Sequence, residues 1–144
     1  MTYAATSTRR SDAHVTAAAL PALASPMADP QALRIAEDAY VKLATHFRRQ
    51  GRGQEALALL ELAIERCAGS ARVHLQHGAA LEETGALIEA LEAYEHALAL
   101  DPDMADAHYC LGALYERMDD PMRSCRHFRA FERVLLARPT TRLN

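Results

Sequence analysis

The chain has 144 residues, half of them hydrophobic but only 6% aromatic, with a net charge of −3 and a pI near 6.1. That length makes one domain, with enough interior to fold without a metal or disulfide staple, and the acidic balance excludes the basic face of a general nucleic-acid binder. Apolar content carried mostly by Ala and Leu, with no Trp, predicts an all-α protein, and no run reaches the roughly 18 apolar residues that a membrane-spanning helix needs.

From the amino terminus, residues 1–29 are rich in Ala, Ser, Thr and Pro and are expected to form a flexible tail. Arg9-Arg10 followed by Val15 to Ala24, with Ala22-Leu23-Ala24 as a loose cleavage site, imitates an export signal. Asp12, His14, Pro21 and Pro26 interrupt it, so the tail is read as retained. Three cysteines, Cys67, Cys110 and Cys125, are an odd number among helix formers and fit reduced thiols in a cytoplasmic protein. Fifteen arginines against one lysine suit a GC-rich bacterial genome.

The first helix opens at Asp29-Pro30, an N-cap followed by proline at the first helical position, and is predicted to run to about Gln50. From Glu37 onward the chain repeats. Sliding it by 34 residues superimposes 37–70, 71–104 and 105–138 without a gap. Each tile splits into two helical halves. The first halves carry Tyr40, Leu43, Ala44 and Phe47, then His74, His77, Gly78 and Leu81, then His108, Leu111, Gly112 and Tyr115 at helical spacing. The second halves carry Ala56, Leu60 and Ala63, then Ala90, Tyr94 and Ala97, then Ser124, Phe128 and Phe131. Small residues recur where two helices must approach closely. Gly51 and Gly85 close the first helices of tiles one and two, because the residue past a helix C-terminus often takes positive φ. In tile three Asp120-Pro121 opens the second helix. The expectation is one domain over 30–138, about six antiparallel helices, with 139–144 as a short tail.

These tiles resemble the tetratricopeptide repeat, a helix–turn–helix unit of 34 residues with the pattern W-x2-L-G-x2-Y, A-x3-F and a final P. Tile two matches best, with Gly78, Leu81, Ala90, Tyr94, Ala97 and Pro102. His74 and His108 stand at the family's aromatic, Ala68 and Ser124 at its proline and small Ala, and the last proline is displaced to Pro139. The resemblance implies a right-handed superhelical solenoid. It implies too a concave side, lined by the first helix of each pair, that holds a partner polypeptide. Candidate groove residues are Val41, Lys42, Thr45 and Arg48, Leu75, Gln76, Ala79 and Glu82, and Tyr109, Cys110, Ala113 and Glu116, with Tyr109 and Leu75 as counter-anchors for apolar side chains. Relatives that grip an acidic chaperone tail use a Lys, Asn and Arg clamp. The matching positions here hold Val41, Thr45, Gln76, Asp106 and Cys110, so that activity is not expected.

Charge is uneven along the chain. Nine acidic residues and no Lys or Arg lie between Val73 and Glu116, whereas Arg117 to Asn144 holds seven Arg against three acids. A basic partner would be steered to the middle tile. Solenoids need a polar element after the last repeat, and Phe131, Val134 and Leu135 on the last helix are expected to form an uncovered apolar ridge for self-association. No H-E-x-x-H or C-x2-C spacing, phosphate loop or G-x-S-x-G elbow occurs. A non-enzymatic adaptor without metal or cofactor is therefore expected. The rival is a small acidic chaperone of the bacterial secretion type, shielding an apolar segment of a client.

Overall fold

The computed structural model describes residues 29–139. The expected tail over 1–29 falls outside the described residues but for Asp29, and so do 140–144. Six helices make up the described residues: α1 Pro30–Arg49, α2 Gly53–Arg66, α3 Ala71–Glu83, α4 Leu87–Leu100, α5 Ala105–Arg117 and α6 Pro121–Ala137. Helix starts recur 34 residues apart, at Gly53, Leu87 and Pro121 and at Ala71 and Ala105.

Local chemistry places the boundaries. The Asp29 carboxylate accepts from the Gln31 amide at 3.1 Å, and the Asp120 carboxylate from the Arg123 amide at 3.1 Å, each ahead of a proline in the first turn. Ser70 caps α3 through the Val73 amide. Gly51 and Gly85 take φ of 73° and 87° in the turns that follow α1 and α3. The same turn in the third repeat is made by Asp119 at φ 59°, a residue type that tolerates the left-handed region through its short polar side chain.

Packing turns three hairpins into a stack. A Cβ on Gly78 would lie 2.7 Å from the Tyr94 ring, and one on Gly112 would lie 2.9 Å from the Phe128 ring. The glycines are what let each aromatic of a second helix sit flat against the first helix of its own pair. One buried cluster joins Tyr40, Val41 and Ala44 of α1 to Ala56, Leu60 and Ala63 of α2 and to Val73 and Ala80 of α3. A second joins Leu75 of α3 to Ala90, Tyr94 and Ala97 of α4 and to Ala107, Leu111 and Leu114 of α5. α3 is therefore shared, one face serving the repeat before it and another the repeat after.

Most expected packing positions are buried, but Leu43 is 44% exposed. Its counterparts 34 and 68 residues on, His77 and Leu111, are half-buried and fully buried. The difference is one of place: α3 and α5 each lie against a preceding second helix, and among the described residues α1 has none before it.

Histidines fill the outer side of the stack. His74 stacks on His96 with ring centroids 5.5 Å apart, and His127 lies between His108 and Tyr115 at 5.6 Å from each. Burial first, then neighbouring imidazoles or Arg126, pushes His74 and His127 below the ordinary range, and burial lowers His77 against the pull of Glu61. The fold thus prefers these rings neutral, and the unfolded chain binds more protons once pH drops below about 6.5. Stability should be full above that pH and decline below it, as each ring's depressed pKa is approached. Melting curves at pH 7.5 and 5.0 measure the loss, and His74→Gln with His127→Gln should flatten the dependence.

Candidate functional site

The first helices form a continuous row, α1 against α3 and α3 against α5, as well as packing on their own second helices. This row is one side of the stack, and it carries the twelve groove residues expected from the sequence. The structure sorts them. Lys42, Tyr109 and Glu116 are exposed; Thr45, Arg48, Gln76, Ala79, Glu82, Cys110 and Ala113 are half-buried. Val41 and Leu75, expected to point outward, are each only 9% exposed and belong to the two buried clusters. The correction has a physical cause, since neighbouring first helices touch along this row and cover the side chains between them. Tyr109 is the remaining apolar anchor.

At 53% exposure Tyr109 nevertheless packs against two rings. Its ring lies 5.9 Å from that of Phe128 and 5.5 Å from that of Phe131, both on α6. Phe131 is half-buried by this contact and Val134 is buried, so the ridge expected on the last helix is reduced to Leu135, joined by the exposed Leu136. Edge-on aromatic pairs of this kind add about 0.5–1.5 kcal/mol beyond their buried area.

A ladder of charges crosses the row. The Arg48 guanidinium donates to Glu83 at 3.0 and 2.6 Å and to the Gln76 amide oxygen at 2.7 Å. One repeat later Glu82 pairs with Arg117, the same rung with its charges exchanged. Arg72 reaches back to Asp38 at 2.6 Å. Sequence inspection within each tile passed over these rungs because they join residues 34 and 35 apart. The reversed signs at 48 and 83 and at 82 and 117 were the available clue.

Beneath the ladder the Tyr94 hydroxyl donates to Glu82 at 2.9 Å. Burial, then the neighbouring Cys110 and Glu82, pushes the Tyr94 phenol well above its ordinary value. Burial also raises the thiols of Cys110 and Cys67. Neither is a poised nucleophile, because the thiolate is the reactive form. Alkylation with iodoacetamide at pH 8 should label the exposed Cys125 first and leave Cys67 and Cys110 until the chain unfolds, as peptide mass mapping would read directly.

A recess of about 1140 Å³ opens between α4 and α6, with Glu95, Leu98, His108, Met122, Arg126 and Arg129 among its lining residues. It is an open trough whose lining mixes Leu98, Met122 and Ala130 with imidazole and guanidinium groups. Among the described residues no group of His, Cys, Asp and Glu is placed to hold a metal, and no helix is long and apolar enough to cross a membrane.

Comparison with known proteins adds to this geometry. A family model described as TPR repeat matches residues 83–119. No curated protein matches the chain. Among solved structures, a double mutant of MamA from RS-1 is 24% identical with a TM-score of 0.65, over 69% of this chain and 56% of that one. The type III secretion translocator chaperone SycD of Yersinia enterocolitica is 14% identical with a TM-score of 0.67, over 72% of this chain and 78% of that one. YrrB, a TPR protein with an unusual peptide-binding site, is 24% identical with a TM-score of 0.63, over 70% and 52%. The chain spans just over half the length of the MamA and YrrB structures. These likenesses establish the fold.

Proposed function

We propose that this chain, which carries the tetratricopeptide-repeat fold, is a scaffold for protein interaction that holds a partner polypeptide across the α1–α3–α5 row, as an adaptor or assembly subunit of a larger complex. The observation that carries this is Tyr109, a large aromatic exposed on the inner row and braced from behind by two phenylalanines. Exposed yet immobilised aromatics lose little entropy on binding, which is why they recur as interface anchors. Near it on α5, Asp106 and Glu116 make the rim acidic, so the partner is an extended or helical segment that offers an apolar side chain to Tyr109 and a basic one to the rim.

Pull-down of tagged chain from its native host, beside Tyr109→Glu, tests this. Capture by the first and loss by the second supports the groove; equal capture moves the site elsewhere. A second reading, a chaperone that shields a client segment, is favoured by the likeness to SycD over 78% of that chain. Stoichiometry separates the two, because an adaptor remains in the finished complex and a chaperone is left behind.

A further inference from the structure

Among the described residues the ladder and the core both end open, and the two ends fit each other. In the interior, the face of α4 carrying Tyr94 is closed by Ala107, Leu111 and Leu114 of α5, all fully buried. Shifted by the repeat, Tyr94 becomes Phe128 on α6, which is half-buried and borders an open recess of about 420 Å³ whose edge carries the three acids Glu116, Asp119 and Glu132 against one base, Arg129. Shifted the other way by two repeats, the three closing residues become Ala39, Leu43 and His46 on α1. All three are exposed, with Ile35 at 64% continuing the stripe and Lys42 and Arg49 beside it. One end is an aromatic notch with an acidic edge; the other is an aliphatic stripe with a basic edge.

The charge rungs agree. Arg48 with Glu83 and Glu82 with Arg117 each join residues 35 apart across neighbouring first helices. Continued forward, the next rung starts at Glu116 and asks for a base at the position that Arg49 occupies in the first repeat. Neither Glu116 nor Arg49 has an ion-pair partner among the described residues. We propose that a second copy of this chain docks head to tail, α1 of one copy seating on the α5–α6 end of the other, with Arg49 of one copy pairing with Glu116 of the next.

The contact is heterologous, so it adds copies in a row and does not close as a symmetric dimer. It is also reversible. Leu91 and Leu98, which help close the interior interface, are replaced at the open end by Cys125 and Glu132, and the apolar contact is correspondingly smaller. This inference rests on the repeat register, the exposed stripe and the unpaired rung, and it shares Glu116 with the rim of the groove, so the Leu43→Glu variant, which leaves the groove residues unchanged, is what separates the two.

Sedimentation of the full-length chain up to about 1 mM is the test. Wild type should shift from monomer to larger species with concentration, and Leu43→Glu, an exposed site, should abolish the shift. Glu116→Arg and Arg49→Glu should each weaken it about tenfold by placing like charges on the rung. An equimolar mixture of those two variants should recover wild-type association, because every mixed contact again joins opposite charges. A wild type that stays monomeric at about 1 mM overturns the proposal and leaves the stripe to the segment preceding Asp29. Association that survives Leu43→Glu, or reversals that mixing does not rescue, overturns it in favour of another surface.

Discussion

Tyr94→Ala is expected to lower stability by about 3–5 kcal/mol, the range for truncating a buried aromatic. Tyr94 is 1% exposed and among the largest fully buried side chains. It lies on Gly78 in its own pair and against α5 in the next, so its loss opens a cavity in the one cluster that binds repeats two and three. The close fit works against repair, because Gly78 has no side chain to move into the space. A domain of about 110 residues loses several degrees of melting temperature per kcal/mol, so the drop should exceed about 12 °C by circular dichroism. Tyr94→Phe removes the hydrogen bond to Glu82, whose carboxylate keeps Arg117, and the hydroxyl's contact with the Cys110 thiol, and should cost about 1 kcal/mol. A Tyr94→Ala melt within a few degrees of wild type would contradict the packing described.

Tyr109→Glu should have the opposite profile, with the fold retained and the partner lost. The side chain is half out of the structure, so replacing it leaves no sealed cavity. It does give up the ring contacts with Phe128 and Phe131, which sets the stability cost near about 1 kcal/mol. For a central aromatic anchor the binding cost is about 2 kcal/mol or more, roughly 30-fold in affinity. The added carboxylate also joins an already acidic rim, and against a basic partner segment its attraction does not replace apolar burial in the anchor's pocket. A melt lowered only slightly together with a 30-fold weaker partner is the expected pair of results. Unchanged affinity would remove Tyr109 from the site.

The fold was legible because its evidence is redundant. Three tiles and two glycines in left-handed turns report the same period, two proline-marked helix starts fix further boundaries, and each has a local physical cause that survives tertiary context. The groove was less legible. A first helix in a solenoid meets its own second helix, the second helix before it and the first helices beside it, so burial depends on place in the stack as well as on helix face. Leu75 and Val41 occupy groove-side positions and are covered by neighbours; Leu43 occupies a core position and is left open because nothing described precedes α1. Phe131 was read as part of a bare ridge because its ring contact comes from α5, where Tyr109 supplies it. In each case the neighbour was what the sequence did not display.

The central claim is that the inner row holds the partner, and site-specific photo-crosslinking in the native host tests it most directly. A photoreactive side chain placed at Gln76 or Ala113 on the inner row is compared with one at Glu92 or Met122 on the outer side. The proposed function predicts one partner captured from Gln76 and Ala113, lost when Tyr109→Glu is added, and absent from Glu92 and Met122. Capture of that partner from the outer positions alone would contradict the claim and move the site to the trough between α4 and α6.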